Sequence, residues 1–371
     1  MKTAVVAVTN DLTTDQRVHR TCTALSQSGY RVILVGRRLR DSLTLKPREY
    51  TTERLRLLCD KGPGFYAEYN IRLFFYLLSK KADLFVTNDT DTLPAGYFAS
   101  LLRRIPLLHD CHEYFRGVPE LVGRPAVTRA WKFFEDLIFP RLKHVVAVND
   151  PVADLYRHEY GITIKVVRNV PFSKEPGDSS QKEVMGIPSG RKVILYQGAV
   201  NVDRGLEEVI RAMRYVRQDA VFVIAGTGDI IADLRQLVSE EQLGDRVLFT
   251  GQIPFQELPK YTSMADIGLS VEKEVGINYQ NCLPNKFLDY IQARVPVLVT
   301  PFAEMKKIVE RYDIGRFVND HEPEHLAGQL DDMLGDEAAL AGYRRHLEQA
   351  AHDLCWENER NVLFGVLNQI R

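Results

Sequence analysis

The segment Asn281-Cys282-Leu283-Pro284-Asn285-Lys286-Phe287-Leu288-Asp289-Tyr290 puts a proline, a lysine and a carboxylate within one helical turn and a half. Pro284 suits the first turn of a helix, where its missing N–H has no partner to lose. The backbone N–H groups of such a turn point outward and can bind a phosphate. Lys286 adds a mobile positive charge at the same place. Asp289, three residues on, lies on the same helical face, and its carboxylate can accept hydrogen bonds from two neighbouring ribose hydroxyls. One turn would then read both a diphosphate and a ribose. The same residues also make an ordinary helix start with an exposed Lys–Asp pair.

Two glycine-bearing turns have the composition of phosphate-approach loops. In Tyr196-Gln197-Gly198-Ala199-Val200-Asn201-Val202-Asp203-Arg204-Gly205 a strand runs into a loop and then a helix. Gly198 lets a ligand come close to the backbone, and Arg204 can grip a phosphate through two parallel N–H groups. In Ile224-Ala225-Gly226-Thr227-Gly228-Asp229 another glycine turn closes a strand, without the full GxGxxG spacing of a dinucleotide site. In the first half, His109-Asp110-Cys111-His112-Glu113-Tyr114 follows a strand directly. Two histidines and two carboxylates could hold a metal, but strand alternation would divide them between opposite faces. A polar loop with one buried, satisfied histidine accounts for them equally well. Asn10-Asp11-Leu12-Thr13-Thr14-Asp15-Gln16-Arg17 follows the first strand.

The elements that must carry these turns alternate regularly. Short apolar runs at residues 4–9, 31–35, 84–87, 106–109 and 144–148 read as buried parallel strands. Helical stretches such as 15–29, closed by Gly29, lie between them. Residues 165–170 end this series, and Pro171–Gln181 has the composition of a linker. A second series follows at 192–197, 220–225, 246–250, 267–271 and 295–300. The pattern predicts an α/β protein of two doubly wound, parallel-sheet domains facing a deep cleft, with ligands outside the carboxyl ends of the strands. The expected boundaries are residues 1–172, residues 173–350, and a final helix over 351–371 whose docking periodicity does not fix.

Composition is that of a globular protein, 45% hydrophobic and 26% charged, with no apolar run long enough for a membrane span. The N-terminal apolar run is short for a signal segment and reads as a buried first strand of a cytoplasmic chain. Five scattered cysteines without a CxxC pair argue against a disulfide framework or a zinc cluster. The net charge of −1 hides a polarity: residues 1–172 carry 26 Lys and Arg against 18 Asp and Glu, and the remainder 22 against 31. A basic first half suits an anionic surface or a phosphorylated acceptor, or is mere drift in surface composition. Residues 69–81 and 129–143 mix aromatic, apolar and cationic residues and read either as core helices with a solvated edge or as helices lying on an anionic membrane. The basic excess is diffuse and no recognition module is present, which excludes a nucleic-acid binder.

Taken in order, these motifs resemble glycosyltransferase family 4, retaining enzymes of the GT-B fold that include bacterial glycan and lipopolysaccharide glycosyltransferases. The likeness runs from Asn10 to Trp356 and is densest from AGTGD through DRVLFTGQIPFQELPKYTSMADIGLSV to LPNKFLDYIQARVPVLV. The resemblance implies that Gly198, Gly226 and Arg204 bind the donor diphosphate, and that Leu283, Pro284, Asn285, Lys286 and Asp289 bind phosphate and ribose. It implies that His112 lines the sugar site beside Glu113, Asn10 and Asp11, and that the last helix crosses back to the first domain. The co-substrate would be a UDP- or GDP-sugar, transferred with retention to a glycan or lipid-linked acceptor, with no metal or other cofactor.

Three positions depart from the family pattern. Its paired glutamates read here as Asn281 and Asp289, a commonly basic residue is Ala199, and the first loop has Asn10-Asp11 in place of a glycine pair. The expected mechanism is front-face attack, the leaving diphosphate taking the acceptor's proton while Arg204 and Lys286 stabilise its charge and His112 positions the sugar. Two alternatives stay open: a sugar-nucleotide epimerase on the same architecture, using the His109–Glu113 cluster, and a catalytically silent nucleotide-binding subunit.

Overall fold

The computed structural model describes residues 1–370 apart from residues 14, 119, 120, 122, 176, 178–181, 183–185, 188, 189, 255 and 275. Much of the expected linker over 171–181 therefore lies outside the described residues. The chain divides into two compact units, Met1–Asn169 with Glu359–Arg371, and Val170–Asn358.

The first unit runs β1 (Lys2–Ala7), α1 (Gln16–Gln27), β2 (Tyr30–Arg38), β3 (Thr51–Arg56), α2 (Gly62–Ser79), β4 (Leu84–Asn88), α3 (Leu93–Arg103), β5 (Leu107–Cys111), α4 (Pro125–Ile138), β6 (His144–Ala147), α5 (Asp150–Tyr160) and β7 (Lys165–Val166). Its sheet has the order β3-β2-β1-β4-β5-β6-β7, and every pairing is parallel. β4 and β5 are buried along their whole length, as strands covered by helices on both faces must be. Phe65, Tyr69, Leu73 and Leu77, at helical spacing on α2, pack with Val5, Phe85, Leu107 and Phe139 in this core.

The second unit runs β8 (Lys192–Gln197), α6 (Leu206–Ala212), β9 (Ala220–Ala225), α7 (Ile231–Glu240), β10 (Val247–Gly251), α8 (Leu258–Ser263), β11 (Ile267–Ser270), α9 (Ile277–Gln280), α10 (Asn285–Gln292), β12 (Val297–Val299), α11 (Ala303–Tyr312), β13 (Gly315–Phe317), α12 (Pro323–Gly335), α13 (Glu337–Asp353) and the start of α14 (Trp356–Ile370). Its order is β10-β9-β8-β11-β12-β13, again wholly parallel. In each sheet the strand order reverses beside the first strand of the series, β1 or β8. This is the point at which doubly wound sheets bind ligands.

The expected strands are present, but β3 and β13 carried no readable pattern. β3 is an edge strand of sequence TTERLR and only half-buried; β13 has three residues. The expected final helix over 351–371 is instead two helices, α13 and α14, broken at Leu354 and Cys355. Within the second unit, the Trp356 N–H donates to Pro171 O at 2.8 Å. Within the first unit, the Arg168 N–H donates to Glu359 at 2.9 Å, and the Arg168 guanidinium pairs with the same carboxylate at 3.2 Å. The chain therefore leaves the first unit at Asn169 and rejoins it along α14.

Candidate active site

In the second unit, Gly198 and Gly226 end neighbouring strands, and their loops press backbone to backbone. A Cβ on Gly226 would lie 1.9 Å from Gly198 O, and one on Gly228 2.3 Å from Val200 O. The Val200 N–H donates to Thr227 O at 3.0 Å and ties the loops together. Gly205 has φ 73° at the start of α6, and a Cβ there would lie 2.3 Å from Val271 O. These glycines fix the path of the chain that brings Arg204 up to the end of β11.

Pro284 is the residue before α10, with φ −62° and ψ 138°, so the helix starts one residue later than the sequence suggests, at Asn285. The Phe287 N–H donates to Pro284 O at 3.1 Å. Lys286, expected as a mobile charge on the surface, is instead buried: its ammonium donates to Glu272 and sits 4.3 Å from the centre of the Tyr196 ring. Arg204 reaches the same Glu272 oxygen at 3.7 Å. Gly198 lies below the lysine stem, a Cβ there falling 3.9 Å from Lys286 Cε. Burial acts to raise the Glu272 carboxyl, but Lys286 and its hydrogen bond outweigh it and hold the group low. The Lys286 ammonium is also moved down, because burial, with Arg204, outweighs the attraction of Glu272.

Asp289 does not pair with Lys286. Its carboxylate accepts from Gln197 Nε2 at 3.1 Å, and Gln197 Oε1 accepts from Thr262 Oγ1 at 2.7 Å. A small depression of about 110 Å³ beside Asp289 is lined by Leu258, Thr262, Ser263, Lys174 and Gln292. A more open depression of about 470 Å³ lies along Gln252, Ile253, Pro254 and Leu258. Asn281 folds back on its own turn, Nδ2 donating to Ile277 O at 2.8 Å. Glu272 was not singled out in the sequence. The signal available was a carboxylate two residues past a fully buried strand, at the strand end where ligands gather.

In the first unit, β5 separates the His109–His112 cluster as alternation requires. His109 is fully buried, Nδ1 lying 3.0 Å from Thr87 Oγ1, and burial pushes it down to about 4, which keeps it neutral. Asp110 pairs with the Arg17 guanidinium at 2.5 Å. Burial acts to raise Asp110, but Arg17 and His112 hold it well below the usual carboxylate range. Among the described residues no three His, Cys, Asp or Glu side chains converge as a metal site.

His112 lies 3.4 Å from Asp89 and 3.5 Å from Asp110, with Nε2 3.1 Å from Asn88 Oδ1. Burial opposes its charge, but the two carboxylates push it up to about 9, so it is an imidazolium at neutral pH. Asp89 moves up despite this partner, because its burial dominates. Asp91, held by Thr9 Oγ1 at 2.6 Å, is pushed up to about 7 by burial and then by Asp89. Asn10 and Asp11 are turned into their own loop: Asn10 binds Asp15 at 2.8 Å and the Leu12 N–H at 2.9 Å, and Asp11 accepts from Thr13 Oγ1 at 2.5 Å. Glu113 is half-buried next to His112.

Two all-parallel α/β units, one carrying a glycine-loop site with a lysine at a helix start, define a GT-B glycosyltransferase fold. The family is equally plain: the model for Glycosyltransferase Family 4 matches residues 15–170, the model for Glycosyl transferases group 1 matches residues 178–353, and the chain belongs to this family. A glycosyltransferase of Methanocaldococcus jannaschii, MJ1607, is 29% identical over 156 residues, 41% of this chain and 38% of that protein. The α-D-kanosaminyltransferase of Streptomyces kanamyceticus is 26% identical over 256 residues, 65% of this chain and 64% of that protein. The matched stretches thus span less than two thirds of the length of either relative. Among solved structures, Anabaena Alr3699/HepE, known in complexes with UDP and with UDP-glucose, covers the whole of both chains with a TM-score of 0.75 at 15% identity, a likeness of fold.

Proposed function

We propose that this chain transfers a sugar from a nucleoside-diphosphate donor, a UDP- or GDP-sugar, to a glycan or lipid-linked acceptor with retention of configuration. The observation that carries the reading is the convergence of Lys286 and Arg204 on one point beside the glycine loops and the start of α10. Two cations and a helix N-terminus form an electrostatic site for a diphosphate, and the charge that builds on a leaving diphosphate is what such a site stabilises. The binding of UDP by the structurally similar HepE agrees with it. Asp289, held by Gln197, takes the ribose hydroxyls, with Leu283 and Asn285 framing the turn, and the nucleoside lies along the depressions that share Leu258.

The acceptor attacks from the face the diphosphate leaves, and the diphosphate takes the acceptor's proton. No metal held by protein side chains takes part. His112 positions the donor sugar. The epimerase reading loses its motive, because His109 is buried and neutral and Asp110 is committed to Arg17.

The protein works in the cytoplasm against the inner face of an anionic membrane. No described helix is long and apolar enough to cross a bilayer. α2 and α4 each have a buried face and an outer one where Ile71, Phe75 and Phe133 are 59%, 64% and 62% exposed. Vesicle co-sedimentation tests this contact.

The donor site is tested by thermal shift and calorimetry against UDP, GDP, ADP, CMP and dTDP without magnesium. One of these nucleotides raises the melting temperature, and Arg204→Ala or Lys286→Ala weakens it about 10–100-fold, the loss of one charge-assisted hydrogen bond. Unchanged affinity in both variants would sink the assignment.

A further inference from the structure

Glu272 is the one carboxylate described against the two diphosphate cations, and nothing in the family pattern of paired acids accounts for it. Its side chain is wholly buried. One oxygen accepts from Lys286 and lies 3.7 Å from Arg204; the other accepts from Ser270 Oγ at 2.8 Å. Its backbone carbonyl accepts from Thr300 Oγ1 at 2.8 Å, so β11 and β12 both hold it in place.

We propose that Glu272 is a positioning residue of the donor site, which converges the Lys286 ammonium and the Arg204 guanidinium on one oxygen and keeps the lysine charged for a phosphate. This rests on the reading of Lys286 and Arg204 as the diphosphate cations.

The argument is electrostatic. Two like charges brought together out of water repel strongly and lose their solvation. A single buried carboxylate offsets most of that cost and fixes the geometry without neutralising both cations. A second carboxylate here would cancel the site; none at all would push Lys286 to give up its proton. The groups facing the Lys286 ammonium are Glu272 at the end of β11, Arg204 from the loop before α6, Cys282 from the turn before α10, and the Tyr196 ring on β8. Glu272 alone among them is anionic at neutral pH.

The sign of the pH effect follows. With its charge removed in Glu272→Gln, Lys286 loses its proton at lower pH. The experiment follows trace acetylation of Lys286 by acetic anhydride across pH, read by mass spectrometry, and in parallel the affinity for UDP across the same range. The proposal expects the labelling midpoint of Glu272→Gln to fall by at least about one pH unit, and UDP affinity at alkaline pH to fall about tenfold with it. Ser270→Ala removes only the hydrogen bond behind Glu272, keeps the fold if Glu272→Gln does not, and is expected to shift the midpoint in the same direction by less. An unmoved midpoint in the folded variants overturns the proposal. A moved midpoint with no binding of UDP, GDP, ADP, CMP or dTDP by the unsubstituted protein upholds the clamp and overturns the donor reading instead.

Discussion

At the scale of single residues the first unit is governed by charges held away from their usual ionisation. His112 is pushed up to about 9 by Asp89 and Asp110 against the pull of burial. A histidine of ordinary affinity in the unfolded chain binds its proton near pH 6.5, so the folded form is stabilised in full below that value. The contribution is lost as pH rises through about 9. Asp91, pushed up to about 7, acts in the same sense over a lower window: the unfolded chain ionises first, and stability falls as pH climbs from about 4 towards 7. The melting temperature of the protein is therefore expected to decline between pH 6.5 and 9, by no more than about 3 kcal/mol of stability from His112. In His112→Ala that slope flattens; a profile with its slope intact would place the titration elsewhere. The residue that sequence reading missed, Glu272, shows why some chemistry is hidden. Its partners Arg204 and Lys286 lie 68 and 14 positions away, and no spacing rule joins a loop, a strand end and a helix start.

At the scale of elements, the glycine turns rather than the helices set the donor site. Gly205 combines a left-handed φ of 73° with a neighbouring Val271 carbonyl that leaves no room for a Cβ. Gly205→Ala is expected to cost at least about 2 kcal/mol, and to lower the melting temperature by about 2–4 °C for each of them in a unit of this size. It should also weaken nucleotide binding, since Arg204 is the adjoining residue. Gly244→Ala, with open space around it, is the control and should melt within about 0.5 kcal/mol of the parent. Equal melting of the two variants would remove the steric argument. The inner strands were legible because β1, β4, β8 and β9 are short apolar runs buried on both faces. β3 was not, because an edge strand with one open side needs no such run. Nor was the break between α13 and α14: the apolar spacing of Leu347, Ala350, Ala351 and Leu354 continues up to the interruption and gives no warning of it.

At the scale of the whole molecule the hidden polarity of charge acquires a place. Lys81, Arg104, Arg141 and Lys143 lie just before β4, β5 and β6, at the end of the first sheet opposite to His112. Arg104, Arg141, Lys143 and His144 line a depression of about 450 Å³ with no acidic residue in its wall, beside Leu101 and Leu102, which are 64% and 67% exposed. Anionic vesicles are expected to carry the protein down at low salt and to release it at about 1 M, where charges are screened within about 3 Å. Arg104→Glu with Lys143→Glu should reduce the bound fraction several-fold, whereas binding indifferent to both salt and charge reversal would exclude this face. The path of the backbone has a different kind of consequence. Along the sequence, residues 170–358 come between the body of the first unit and its closing helix. During synthesis the first unit emerges early, yet the Glu359 carboxylate that Arg168 binds and the buried Leu363, Val366 and Leu367 arrive only after the whole second unit. Domains made in succession ordinarily fold in that order. Here the unit translated first is the one completed last, and its apolar seam for α14 stays open to chaperones for as long as the ribosome takes to write the other.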